Sequence, residues 1–281
     1  MLWSFLKISM KMESSKINNR SIGIFDSGLG GLTVLRELEN KLPNESFIYF
    51  GDTARVPYGN KSSENVKNYS HRIINFLLEM DIKLAVVACN TSSALALTSL
   101  QNEFKIPIFG VIDAAVRSAE NASDLLQIGV IGTRATIQSK AYSQVFKKMG
   151  SKKSILEHAC PLFVPLIEEG MVSGKIVSEI IEHYLKDLKK SSIEALILGC
   201  THYPLLAEQI QNYMGKNIKL ISSGIVLADE IKQFLKRSDM AAIKKKKTTQ
   251  FFVTDFPQKF EELSSRFLGR EVQPISLTTL P

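Results

Sequence analysis

The sequence is poor in the residues from which disulfide frameworks, zinc modules and membrane spans are built. It holds three cysteines (Cys89, Cys160 and Cys200), four histidines and one tryptophan in 281 residues. An odd cysteine count without framework spacing argues against a disulfide scaffold and for free thiols in a reducing compartment, although one bridge stays open. Cys200-x-His202 offers two metal-ligand types, but no paired cysteine knuckle completes a tetrahedral zinc set. No run of about 18 apolar residues occurs, so no membrane-spanning helix is expected. Zinc-finger, RNP and KH patterns are also missing, which removes the usual nucleic-acid modules. These absences leave a cytoplasmic protein with no metal, membrane or nucleic-acid partner as the expectation.

What is present is ordinary for a folded α/β protein: 44% hydrophobic and 22% charged residues. Lysine and arginine (35) exceed aspartate and glutamate (28), for a net charge of +7. That excess permits weak attraction to anions and says little about a site. The densest basic run, Lys244 to Lys247, reads as a solvated loop entering the apolar stretch Phe251-Phe252-Val253. Residues 1–20 differ from the rest. Lys7 interrupts an apolar start and no small-residue cleavage site follows, so they read as a disordered extension and not as a signal peptide.

Strand and helix patterns alternate along the chain. Short apolar runs at Ser21–Phe25, Phe47–Phe50, Leu84–Val87, Ile106–Gly110, Gln127–Ile131 and Ala195–Gly199 read as strands. Between them, apolar residues recur at helical spacing, as in Leu32, Leu35 and Leu38 or Ile73, Ile74, Leu77 and Leu78. Such alternation implies parallel sheets joined by right-handed crossovers.

Two pairs of segments resemble each other. Leu84-Ala85-Val86-Val87-Ala88-Cys89-Asn90-Thr91 lies beside Ala195-Leu196-Ile197-Leu198-Gly199-Cys200-Thr201-His202, and Ser21-Ile22-Gly23-Ile24-Phe25 beside Gln127-Ile128-Gly129-Val130-Ile131. The near-equal offsets suggest an internal duplication. Two repeats are too few for a solenoid. They fit an α/β fold of two pseudo-symmetric parallel-sheet lobes, layered like flavodoxin, with the site in the cleft between them. The expected division is residues 21–113 plus 224–281 for the first lobe and 114–223 for the second, the C-terminal segment returning to the first.

In a parallel sheet each matched thiol would stand at the carboxyl end of a strand, where open α/β folds bind ligands. Inverting a carbon centre needs a base on one face and an acid on the other. A thiol, with an unperturbed pKa of about 8.5, can be tuned to either role. Asp26 could orient Cys89. His202 could do the same for Cys200, with Glu168 holding the imidazole. Each residue also has a plainer reading. A buried cysteine is usually a small core hydrophobe, and Cys160 is taken as one. Asp26-Ser27-Gly28 also suits a helix cap and turn. Gly28-x-Gly30-Gly31 lacks the spacing of a dinucleotide or P-loop cradle. His202 also fits a structural histidine, and Glu168 a solvated charge.

Four separated motifs carry a resemblance. Phe25-Asp26-Ser27-Gly28-Leu29-Gly30-Gly31-Leu32, Asp52-Thr53-Ala54-Arg55-Val56-Pro57-Tyr58-Gly59, Ala88-Cys89-Asn90-Thr91 and Gly199-Cys200-Thr201-His202-Tyr203-Pro204 resemble, in order, the glutamate racemase family. The likeness runs from about Ser21 to Leu268. It implies interconversion of L- and D-glutamate without a cofactor, D-glutamate being a building block of bacterial peptidoglycan. It also implies Cys89 and Cys200 as the two proton carriers, Asp26, His202 and Glu168 as their helpers, and Asp26, Ser27, Tyr58, Gly59, Asn90, Thr91, Thr133, Thr201 and His202 as substrate contacts. It leaves a homodimer open. Three rivals stand beside this reading: an aspartate or hydantoin racemase, a non-enzymatic binding module, and a redox protein cycling Cys89 and Cys200.

Overall fold

The computed structural model describes residues 18–122, 126–243 and 248–280. It contains two parallel sheets. Strands β1 (Ile22–Asp26), β2 (Phe47–Gly51), β3 (Leu84–Val87), β4 (Ile108–Gly110), β9 (Thr249–Val253) and β10 (Ile275–Leu277) form one, in the order β10-β9-β2-β1-β3-β4. Strands β5 (Gln127–Gly132), β6 (Ser154–Ala159), β7 (Ala195–Gly199) and β8 (Lys219–Ser222) form the other, in the order β6-β5-β7-β8.

The second order repeats the core of the first strand for strand, with β5 in the place of β1 and β7 in that of β3. The duplication seen in the sequence is therefore a duplication of topology. The central strands β1, β2, β3 and β7 are buried along their whole length, as expected of continuous apolar runs covered on both faces by helices. Leu32, Leu35 and Leu38 lie on the buried side of the helix Leu32–Lys41.

In each sheet the chain runs to one side of its first strand and then crosses to the other. The crevice at such a switch point is where these sheets bind ligands. Asp26 ends β1, and Cys89 follows the neighbouring β3. Thr133 follows β5, and Cys200 follows the neighbouring β7.

Some elements depart from the sequence reading. Leu95, Leu97 and Leu100, whose apolar pattern reads as one helix, are divided between two, Asn90–Leu95 and Leu97–Glu103, broken at Ala96. Strands β6, β8 and β10 were not anticipated. They are sheet edges whose residues are mostly half-exposed or exposed and carry no long apolar run. Residues 1–17 of the expected extension, and the Lys244–Lys247 run, lie outside the described residues. The extension's last residues are packed. The Asn18 carbonyl accepts a hydrogen bond from Lys83 Nζ at 2.9 Å, and Arg20 pairs with Asp81 at 3.1 Å. Lys83, almost wholly buried, also binds Glu45 at 2.6 Å and the Met240 carbonyl at 2.8 Å. Among the described residues, no helix is long and apolar enough to cross a membrane.

Candidate active site

Both matched thiols are nearly buried, Cys89 at 5% and Cys200 at 6% exposure, and all three cysteines are unpaired. Their surroundings differ. The Cys89 thiol donates to Ser27 Oγ at 3.8 Å. Burial, and then the charge of Asp26, push it up to about 11, against the pull of Ser92 and Ser27. At neutral pH it is therefore a thiol. Cys200 Sγ lies 3.9 Å from His202 Nδ1, and His202 Nε2 lies 3.1 Å from Glu168 Oε1. Burial works to lower the His202 pKa, but Cys200 and Glu168 outweigh it and raise it to about 10. The imidazole is charged at neutral pH. It sits where it can pass a proton toward Cys200 or offset negative charge on the sulfur.

Asp26 is fully buried. It accepts from the Gly28 N–H at 2.9 Å and, at 3.4 Å, from Thr201 Oγ1 of the other lobe. Burial raises its pKa, while the charge of His202 is the largest influence opposing that rise. Its charge thus acts on both thiol stations. Its hydrogen bonds, however, go to the backbone at Gly28 and Gly31 and to Thr201, and the hydroxyls that serve the Cys89 sulfur are those of Ser92 and Ser27.

The lobes meet through small residues and hydroxyls. Thr33 Oγ1 donates to the Thr201 carbonyl at 2.9 Å. Thr91 Oγ1 lies 3.0 Å from Thr133 Oγ1 and 3.2 Å from Thr136 Oγ1, which are themselves 3.0 Å apart. Asn90 Nδ2 donates to the Tyr142 hydroxyl at 2.9 Å. Two glycines allow this approach. A Cβ on Gly30 would lie 2.5 Å from His202 Nδ1 and closer still to Thr201 Oγ1, and one on Gly59 would lie 2.8 Å from Thr133 Cβ.

The residues singled out from the sequence therefore gather around one shut cleft. Cys160 lies outside this arrangement: its carbonyl accepts from the Tyr203 hydroxyl at 2.9 Å, and burial pushes its thiol pKa far up. Tyr58 is present in the arrangement but its hydroxyl is engaged, donating to Asp52 Oδ2 at 2.5 Å. What the Tyr58-Gly59 segment offers the cleft is its backbone and the space at Gly59. Sequence reasoning missed Thr136, Tyr142 and Asp52. Asp52 stood inside a quoted motif. The other two reach the first lobe only when residues about 45 and 52 positions away fold onto them.

Two facing α/β lobes, each sending a strand-end thiol with its own polar retinue into a common cleft, define a class: an α/β protein built to handle a small polar molecule from both sides. The family model for Asp/Glu/Hydantoin racemase matches residues 22–231. The glutamate racemase of Aquifex aeolicus is 47% identical over 253 residues, covering 90% of this chain and 96% of that protein. The crystal structure of glutamate racemase isoform RacE1 from Bacillus anthracis superposes with a TM-score of 0.91 at 36% identity, over 94% of this chain and 99% of that one. That of the Francisella tularensis glutamate racemase in complex with D-glutamate gives 0.88 at 40% identity, over 94% and 98%. The chain belongs to the Asp/Glu/Hydantoin racemase family. It is an amino-acid racemase, an isomerase.

Proposed function

We propose that this protein interconverts L- and D-glutamate without a cofactor, using Cys200 and Cys89 as paired acid and base. The observation that carries the reading is the pair of strand-end thiols after β3 and β7, held in unlike electrostatic surroundings within one cleft. In the L-to-D direction, Cys200 as thiolate takes the α-proton and Cys89 as thiol returns one to the opposite face. The reverse direction exchanges the roles. His202, backed by Glu168, serves Cys200. Asp26 and Ser27 serve Cys89. Ser27, Asn90, Thr91, Thr133, Thr201 and the backbone of Tyr58-Gly59 hold the two carboxylates and the ammonium group. Donors aimed at the α-carboxylate also stabilise the charge that grows there as the proton leaves. The two lobes comprise residues 21–113 plus 224–281, and 114–223. The product, D-glutamate, would supply peptidoglycan synthesis in the cytoplasm, and a homodimer would be read out by light scattering.

The test is circular dichroism of each enantiomer in D2O with no cofactor added. Loss of optical signal from both, with deuterium entering at the α-carbon, is the expected result. Change with aspartate but not glutamate would correct the substrate. Cys89→Ser and Cys200→Ser should each lower racemisation by at least about 10³-fold with the fold intact, since each removes one of two positioned proton carriers. Full activity in either variant would sink the two-base mechanism. Cys160→Ser should be nearly silent.

A further inference from the structure

Beside the shut site lies a cavity of about 570 Å³, between the segment Pro57–Asn60 of the first lobe and residues around Thr133, Leu162 and Tyr184 of the second. It shares Gly59 and Thr133 with the expected substrate contacts, and Glu168 with the partner of His202. It is therefore the space adjoining the cleft. Of its lining residues, only Arg134 and Glu168 carry full charges.

Glu168 has a task that keeps it there, since its carboxylate holds the His202 imidazole. Arg134 has no such task. It follows Thr133 directly, is exposed, and no ion pair or hydrogen bond joins it to another described residue. Its charge is felt by the Tyr184 phenol, which burial pushes up and Arg134 pulls back. An acidic amino acid carries net negative charge, and Glu168 stands on the wall of this cavity. A lone cation on the same wall offsets that carboxylate and favours a ligand bearing a second carboxylate over a neutral one.

We propose that Arg134 is the cation of the entrance, drawing dicarboxylate amino acids into the cleft and biasing selection toward them. This rests on the glutamate reading above. Arg134 acts on approach and not on the proton transfers, so its removal shows in KM and in salt dependence. Attraction between exposed charges fades as ionic strength shortens the Debye length.

The test compares the whole protein with Arg134→Gln and Arg134→Lys, measuring initial rates in both directions at about 20 mM and about 200 mM salt, a range over which screening changes strongly. With Gln, KM should rise about 3- to 10-fold for both enantiomers at low salt, the scale of one unit charge a few ångströms away in a water-like dielectric. The kcat should stay within about 2-fold, because the proton carriers are untouched. The salt dependence of kcat/KM should flatten, and Lys should recover most of the loss. An unchanged KM and salt slope in the Gln variant would overturn the proposal, as would a loss confined to kcat. If the wild-type protein turns over aspartate and not glutamate, the glutamate reading fails and the same slopes, measured with aspartate, decide the role of Arg134. Equal turnover of a neutral amino acid by the wild type would also overturn it.

Discussion

Substituting Gly30 by alanine adds one methyl group at the closest approach of the two lobes. The new carbon would stand 2.5 Å from His202 Nδ1 and 2.6 Å from His202 Cε1, and would press on Thr201 Oγ1 as well. Ordinary contact needs roughly 3.4 Å or more, so either the imidazole and the threonine retreat by about 1 Å or the lobes part. Neither retreat is easy. His202 is buried, holds Glu168 through Nε2 and meets the Phe267 ring edge-on at 5.3 Å; Thr201 is fixed by Thr33 and Asp26. Overpacking of this kind costs about 1–3 kcal/mol in stability, and a 1 Å displacement of catalytic groups costs about 10²-fold in rate. Gly28→Ala is the matched control two residues away, because its Cβ would meet Val56 Cγ2 at an ordinary 3.4 Å. Racemisation followed by circular dichroism should fall about 100-fold in Gly30→Ala and by less than about 3-fold in Gly28→Ala, with thermal melts separating misplacement from unfolding. Full activity in Gly30→Ala would refute the claim that this contact sets the geometry of His202.

Three further outcomes follow from the structure. Because the folded pKa of His202 is raised from 6.5 to about 10, its pairing stabilises the protein fully below pH 6.5, and that contribution of at most about 5 kcal/mol is lost as pH rises through 10. Glu168→Gln should reduce the loss seen in urea melts between pH 6.5 and 10, and an unaltered pH profile would contradict the pairing. Lys83→Met leaves the buried Glu45 carboxylate without its cation and should cost about 3–5 kcal/mol, whereas Lys83→Met with Glu45→Leu should recover much of it; equal midpoints for single and double variants would refute that account. Thr136→Val removes one corner of the Thr91–Thr133–Thr136 hydroxyl triangle and should raise KM several-fold in initial-rate assays while leaving the thermal melt nearly unchanged; an unaltered KM would refute a role for the triangle in binding.

Much of the fold was legible because its signals are local. Continuous apolar runs mark the central strands, and a thiol followed by small polar residues marks two strand ends without any knowledge of the partner lobe. The edge strands β6 and β8 were not legible, since Ser154–Ala159 and Lys219–Ser222 are largely half-exposed and carry no continuous apolar run. The same limit applies to side-chain partners. His202 and Cys200 are two residues apart and could be paired on sight. That Asn90 would find Tyr142, or that Tyr58 would spend its hydroxyl on Asp52, depends on folding and leaves no periodic trace. Asp26 shows the intermediate case. Its place at the end of β1 was readable, but the direction of its hydrogen bonds, toward Gly28 and Thr201, depends on how the facing lobe sits.

Strands β9 and β10 bring residues 249–277 back beside β2, so one sheet is enclosed within the sequence of the other. As the chain emerges from the ribosome, the four-stranded sheet has all its strands once Ser222 is made. The six-stranded sheet must wait for β9, complete only at Val253, to cover the open side of β2, and then for β10 to cover β9. A nascent or prematurely terminated chain therefore offers a complete second unit tethered to an open first one. Such a chain carries both thiols, yet lacks the strands that finish the sheet from which one of them projects.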